Sequence, residues 1–231
     1  MEFKNVNIID VISDIVDSMR ESGGISSSTY VGGYTTVNAA NNLNKYEVVL
    51  IGSKEYSVIE RTDLTFKVKG DATGEDTYKA LAPYFSYGHI LEIANSLMEK
   101  DSSTLLNSFK KYPRILLPLD ITGTYNPTFD AYDYTDITLI IVNKTEQTYK
   151  AARRLELSFK PTLYPLYEDL IKAIRLNRSI IPQEVAPFIS HEKTDRFFWG
   201  SQLNPTGNVV NDFLDAIEIK KLNIRVNNIN C

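Results

Sequence analysis

Asp136-Ile137-Thr138-Leu139-Ile140-Ile141-Val142 is the stretch that decides the fold. It is nearly all apolar and alternates less than a half-exposed strand does, so it reads as a strand buried on both faces. Ile115-Leu116-Leu117-Pro118-Leu119, entered through Pro113, has the same character, and Asp120 to Thr135 between the two reads as a polar loop. Downstream, Thr148 to Phe159 and Pro161 to Leu176 read as one long helix kinked at Pro161, because a proline inside a helix removes a backbone bond and clashes with the preceding turn. Leu163, Leu166, Tyr167, Leu170 and Ile174 form its apolar face. Asn177 to Trp199 reads as mostly irregular, with Phe197-Phe198-Trp199 as a short pairing segment. Phe213 to Val226 closes the chain as a long strand with a bulge near Lys220-Lys221.

Upstream, Asn7 to Glu21 reads as an amphipathic helix. Ile8, Ile12, Ile15 and Met19 recur at helical spacing, Val11 and Val16 widen the stripe, and Gly23-Gly24 end it. Ile90 to Met98 reads as a second helix, continued from Asp101-Ser103 to about Phe109. Between these helices the pattern changes. Ile25 to Asn44, rich in Ser, Gly, Thr and Asn, reads as a long loop with a short strand at Ser28 to Val31. Lys45 to Ile51, Tyr56 to Arg61 and Leu64 to Lys69 read as an antiparallel meander, and Asp71 to Pro83 as loop. The expected class is α+β: an antiparallel or mixed sheet packed on helices over residues 1–24 and 84–231, with a loop and small β meander inserted at 25–83.

The 231 residues are 43% hydrophobic and 23% charged, enough apolar surface for a packed core. Of the aromatic residues 14 are tyrosines, whose large rings and polar tips suit surfaces that become buried against partners. A formal charge of −4 and a pI of about 5.3 argue against a dedicated nucleic-acid binder, which needs a basic stripe. A mildly acidic wall does suit a channel through which DNA passes without sticking. Cys231 is the single cysteine, so no disulfide forms within the chain and a reducing compartment is expected. No signal peptide is expected at Met1 to Asp10, and no apolar run approaches the roughly 18 to 20 residues that span a bilayer.

No cluster of residues adds up to an active site. His89 and His191 each lack a second histidine at i+3 or i+4, so structural roles outweigh metal binding. Ser26-Ser27-Ser28 lie in no Gly-x-Ser-x-Gly elbow, and Cys231 is terminal. Gly32-Gly33 are followed by Tyr34-Thr35-Thr36 instead of the Lys-Ser/Thr of a phosphate loop. Asp120, Asp130, Asp133 and Asp136 lack the spacing of a calcium loop, and the tyrosines among them, Tyr125, Tyr132 and Tyr134, point to partner contact. Arg153-Arg154 with Glu156 is either an intrahelix charge pattern or an inter-subunit clamp.

Three segments carry a resemblance: Lys111-Tyr112-Pro113-Arg114-Ile115-Leu116-Leu117-Pro118-Leu119-Asp120, Tyr149-Lys150-Ala151-Ala152-Arg153-Arg154, and Phe159-Lys160-Pro161-Thr162-Leu163-Tyr164-Pro165-Leu166-Tyr167. With Tyr87 to Asn95 and Tyr134 to Val142, they resemble virion proteins of tailed bacteriophages of Bacteroides-type hosts, including the crAss-like phages. The order of elements is similar to the tail-terminator fold: a helix at Ile90–Phe109, strands at Ile115–Leu119 and Asp136–Val142, a long helix at Thr148–Leu176, and a strand pair from Arg196–Gln202 and Phe213–Val226. The resemblance spans residues 87–176 and implies a structural protein of the virion neck or tail. Such a protein forms a six- or twelve-fold homo-oligomeric ring joining head to tail, beside the portal and neighbouring ring proteins, with DNA in the lumen. It implies no catalytic residue, cofactor, metal or membrane. The insertion departs from the compact pattern and is expected to reach a neighbouring subunit or ring. Tyr30, Tyr34, Tyr125, Tyr132, Tyr134, Arg153 and Arg154 are the expected interface residues, and removal of Ser26 to Asn42 is expected to leave a folded monomer.

Two other readings compete. One is a soluble binding module or adaptor outside any virion. The other is an enzyme using scattered carboxylates such as Glu92, Asp120 and Asp136.

Overall fold

The structure is a computed structural model, which describes residues 7–43, 47–98, 112–181, 189–200 and 213–227. These divide into two compact units, each with its own core: residues 7–19, 85–98 and 113–227 form one, and residues 20–84 with Tyr112 the other. The class is α+β, with two sheets. The expected extension of the second helix to Phe109 lies outside the described residues, as do Lys45, Gln202 and Cys231.

In the first unit, helix α1 (Ile8–Met19) buries Ile8, Val11, Ile12, Ile15 and Val16, the stripe its spacing requires. Asn7 caps it, its Oδ1 accepting from the Asp10 amide at 2.9 Å. The sheet is built around two 15-residue strands, β11 (Ala131–Thr145) and β13 (Phe213–Asn227), paired antiparallel along their whole length. On the far side of β13 lies β12 (Glu192–Trp199). On the far side of β11 lie β9 (Arg114–Pro118), opposite its C-terminal half, and β10 (Thr122–Asn126), opposite its N-terminal half. Strand β8 (Tyr84–Gly88) stands beyond β9, and helix α2 (Ile90–Met98) follows it. Two expectations are corrected here. Asp120 to Thr135 is a hairpin, not a polar loop, and the pairing segment ending at Trp199 begins as early as Glu192.

The final helix runs from Ala151 to Leu176 in three parts. Four α-helical residues, α3 (Ala151–Arg154), lead into nine π-helical ones (Leu155–Leu163) and then α4 (Tyr164–Leu176). Pro161 sits inside the π segment, whose widened turns accommodate a residue with no N–H to donate. Leu163, Leu170 and Ile174 share one core with Ile137, Leu139, Ile141, Ile217 and Ile219 of the sheet. The opposite sheet face is buried too, at Leu116, Ile140, Val142, Leu214 and Ala216. That two-sided burial is the reason for the unbroken apolar run.

The second unit begins with β1 (Ser22–Gly24) and β2 (Ser27–Val31), then β3 (Tyr34–Asn38), β4 (Val48–Ile51), β5 (Lys54–Arg61), β6 (Thr65–Lys69) and β7 (Thr77–Ala80). The meander β4–β5–β6 is as expected, and so is the short strand at Ser28 to Val31, which lies within β2. The rest is a correction. Gly23-Gly24 are a strand, not a helix terminus, Ile25 to Asn44 contains a complete hairpin, and Asp71 to Pro83 contains β7. Strand order is β1-β7-β4-β5-β6-β3-β2. Ile25 N donates to Asp76 O (2.8 Å) and Ser26 N to Asn38 O (2.9 Å). One continuous segment is therefore bonded to β7 at its start and to β3 at its end, and the sheet curls into a small, partly open barrel in which β2 pairs with β3 but not with β7.

Val37, Val49, Ile51, Val58, Phe66, Val68 and Tyr78 fill the barrel, with the Phe66 and Tyr78 rings edge-on at 5.0 Å. Gly32 and Gly33 both have positive φ, the backbone of a tight two-residue hairpin turn between Val31 and Tyr34. Removing Ser26 to Asn42 would delete two barrel strands and the buried Thr35, Val37, Ala39 and Asn41. The expectation that this deletion leaves a folded monomer is therefore corrected: it removes part of the barrel's core.

Candidate interaction surfaces

The hairpin β10–β11 carries the densest group of exposed aromatic side chains among the described residues. Its register sets Tyr125 opposite Tyr132 and Gly123 opposite Tyr134. Residues two apart on a strand share a face, so the three tyrosines line up: the Tyr125 and Tyr132 rings are 5.5 Å apart and those of Tyr132 and Tyr134 6.2 Å. Tyr125 is 48% exposed and Tyr132 37%, while Tyr134 packs against the core. Gly123 makes room for this row, since a Cβ there would lie 2.7 Å from the Tyr134 ring.

Polar bonds brace the hairpin. The Tyr125 hydroxyl donates to Asp130 Oδ1 at 2.9 Å, and that bond, with a smaller contribution from burial, raises the phenol's pKa. Burial also raises that of Tyr134. On the other face Arg225 grips Asp133 with two nitrogens, Nη2 to Oδ2 at 3.1 Å, and lies 4.3 Å from the centre of the Phe129 ring. The Arg225 bond holds the Asp133 carboxyl below its usual pKa, and a bond from Asn126 adds to it.

Tyr30 and Tyr34 belong to the barrel unit. They flank its hairpin tip at 47% and 38% exposure, with Val31 between them at 72%. Lys67 Nζ sits 5.2 Å from the centre of the Tyr34 ring.

The arginine pair separates. Arg153 is exposed and stacks on the Tyr149 ring at 4.5 Å. Arg154 is 1% exposed and cannot act as an inter-subunit clamp. Its guanidinium bonds Asp215 Oδ1 at 2.6 Å, Tyr149 O and Glu146 O at 2.8 Å, and Phe198 covers it at 3.5 Å. Glu156 pairs with Lys160 instead. Asp215 Oδ2, Thr145 Oγ1 and Ser158 Oγ are buried without a hydrogen-bond partner. The sequence signal for this pair is one carboxylate in the otherwise apolar run Phe213-Leu214-Asp215-Ala216-Ile217, because a buried charge demands a partner. Phe198 covers the arginine from a bulge in β12 and adopts a positive φ of 52°, costly for a bulky residue.

The chemical candidates have structural tasks. His89 heads α2: its Nδ1 accepts from the Leu91 amide (3.2 Å), while Glu92 reaches back to the His89 amide. His191 Nε2 meets the Tyr167 hydroxyl at 2.7 Å in a seam where Lys193 lies over the Tyr164 and Tyr167 rings and bonds Asp195. Asp136 occupies a β11 bulge with φ 58°. Among the described residues no three His, Cys, Asp or Glu side chains are grouped to hold a metal ion, and no helix is long and apolar enough to cross a membrane. An open groove of about 520 Å³ runs beside α1 and α4, lined by Ser18, Met19, Asp169, Lys172, Ala173 and Leu176.

No family model, curated protein or solved structure matches this chain.

Proposed function

We propose that the chain is a structural subunit of a tailed-phage virion, forming a homo-oligomeric ring at the junction of portal, neck and tail, with DNA passing through its lumen. The observation that carries this reading is the row Tyr125–Tyr132–Tyr134, set on a hairpin braced by Asp130, Asp133 and Arg225, with its first two rings open to solvent. Rigid tyrosines lose little entropy on docking and bury large areas, as assembly surfaces require. The exposed Tyr30, Val31 and Tyr34 at the barrel tip supply a second, different surface, and a closed ring needs two. The resemblance of residues 87–176 to phage neck and tail proteins supplies the setting: a virion neck, in host cytoplasm during assembly, with no catalysis by the chain itself.

Native mass spectrometry of the full chain over a rising concentration series tests this, with electron microscopy of the products. Closed assemblies of one size, six or twelve copies, are expected, and Tyr125→Ser/Tyr132→Ser is expected to disperse them. A chain that stays monomeric at every concentration and is missing from purified particles points to the adaptor reading.

A further inference from the structure

The first unit's sheet leaves strand edges open, and they differ in kind. Strand β12 carries Glu192, Lys193, Asp195 and Arg196 and ends in the bulge at Phe197-Phe198, features that discourage another strand from joining. Strand β10 has none of these. It reads Thr122-Gly123-Thr124-Tyr125-Asn126, without charge, proline or bulge, is bonded among the described residues only to β11, and is exposed over its first four residues. An edge this plain offers a row of backbone donors and acceptors to an added strand. The braces on Tyr125, Asn126 and Asp133 hold it extended in advance, so little ordering cost remains.

The barrel unit has a second edge of the same kind. Strand β2, Ser27-Ser28-Thr29-Tyr30-Val31, is also uncharged and, among the described residues, is bonded on one side only, to β3. The surroundings of the two edges lean to opposite signs. Residues 119–136 contain four aspartates, one of them held by Arg225 from β13, and no lysine or arginine of their own, whereas 26–38 contain no charge and the next strand in the barrel, β6, adds Lys69 and Lys67, the latter 3.7 Å from Glu60. We propose that the β2 edge of one copy adds as a strand to the β10 edge of a second copy, joining copies head to tail. The contact is heterologous, with a different element on each side, which is the condition for propagation around a ring. It rests on the ring reading above and deepens it by naming the contact that closes the ring.

Two edge-blocked variants test it. Thr122→Lys/Thr124→Lys charges β10, and Thr29→Lys/Val31→Lys charges β2, all at exposed positions. Each variant alone is expected to remain monomeric in native mass spectrometry, with association weakened at least about tenfold. An equimolar mixture is expected to give a two-chain species and nothing larger, because one copy retains β2 and the other β10. The Thr122→Val/Thr124→Val control keeps the edge uncharged and is expected to assemble as the wild type does. Loss of assembly in that control overturns the backbone-edge contact. Assembly of the β10-charged variant overturns the proposal, as does unimpaired assembly of the β2-charged variant, which would mean β10 pairs with something else. Rings that form despite either change overturn only the strand addition, while a wild-type chain that never assembles overturns the ring reading with it.

Discussion

The two halves of β11 share one strand and differ in almost everything else. From Leu139 to Val142 it is buried on both faces, between the helix layer and the opposite side of the sheet. From Ala131 to Thr135 it pairs with β10, and from Tyr132 to Asp136 it turns tyrosines and aspartates toward solvent. Two offsetting bulges separate the halves: β11 has an extra residue between Tyr134 and Ile137, and β13 has one between Ile219 and Leu222, where Lys221 takes φ 53°. The ladder therefore regains its register across the junction. One half holds the unit together, and the other presents a surface. Substitutions in the two halves should therefore be felt by different measurements.

The largest contrast is expected at the buried end, where β13 meets α3. Arg154→Met leaves Asp215 charged, buried and without its partner, and should cost about 3–5 kcal/mol in urea unfolding. Trp199, the chain's single tryptophan, buried and bonded to Glu218, reports that unfolding by fluorescence. Arg153→Ala, one residue away and exposed, should shift stability by less than about 0.5 kcal/mol. Arg154→Met/Asp215→Leu should restore most of the loss, because an apolar pair replaces a desolvated one. An Arg154→Met chain as stable as the wild type would show that the pair does not anchor this end.

Next in size is a direct comparison along β11. Ile141→Ala, which empties core space, should cost about 2–5 kcal/mol. Tyr132→Ser in the exposed half should cost less than about 1 kcal/mol while removing one ring of the proposed assembly surface. Equal losses at the two positions would erase the division between core and surface. Gly123→Ala falls between these, at about 1–3 kcal/mol, because its new methyl group must push the Tyr134 ring aside. Its effect should appear in the tyrosine ring signals by NMR before it appears at Trp199.

The same division explains how much of the molecule is legible in its sequence. The core half of β11, β9 and helix α1 follow from hydrophobic periodicity, since burial writes that pattern into the residues. Strand β2 shows in outline as the short strand at Ser28 to Val31, but β3 and β10 do not follow, because Tyr-Thr-Thr-Val-Asn and Thr-Gly-Thr-Tyr-Asn have the composition of loops. They are strands because distant partners, β6 for the barrel and β11 for the hairpin, complete their ladders. The tyrosines near residue 130 stand out by number alone, but their alignment depends on the hairpin register, which no local pattern encodes. Arg154 cannot be told from the exposed Arg153 beside it, because the partner that buries it lies 61 residues away.

The smallest effect expected is the response to acid, and it too divides along β11. Arg225 holds the Asp133 carboxyl below its ordinary value, so the folded chain keeps this proton off more strongly than the unfolded chain does. The resulting stability is fully present above the unfolded carboxylate value, near 4, and is lost as pH falls through the lower folded value. Because the pair is partly open to solvent, the contribution should be no more than about 1 kcal/mol. Glu218, in the other half of β13, titrates in the same direction: burial pushes its carboxyl up, but bonds from Lys220 and Arg196 outweigh it. Both halves therefore weaken in acid, and they must be read separately. The tyrosine ring signals of the hairpin should shift with the Asp133 titration and lose that step in Asp133→Asn. Trp199 fluorescence should follow Glu218 and keep its profile in the same variant. If Asp133→Asn flattened both profiles, the hairpin and the β12 end would be titrating as a single unit, and the independence of the two halves of β11 would fail.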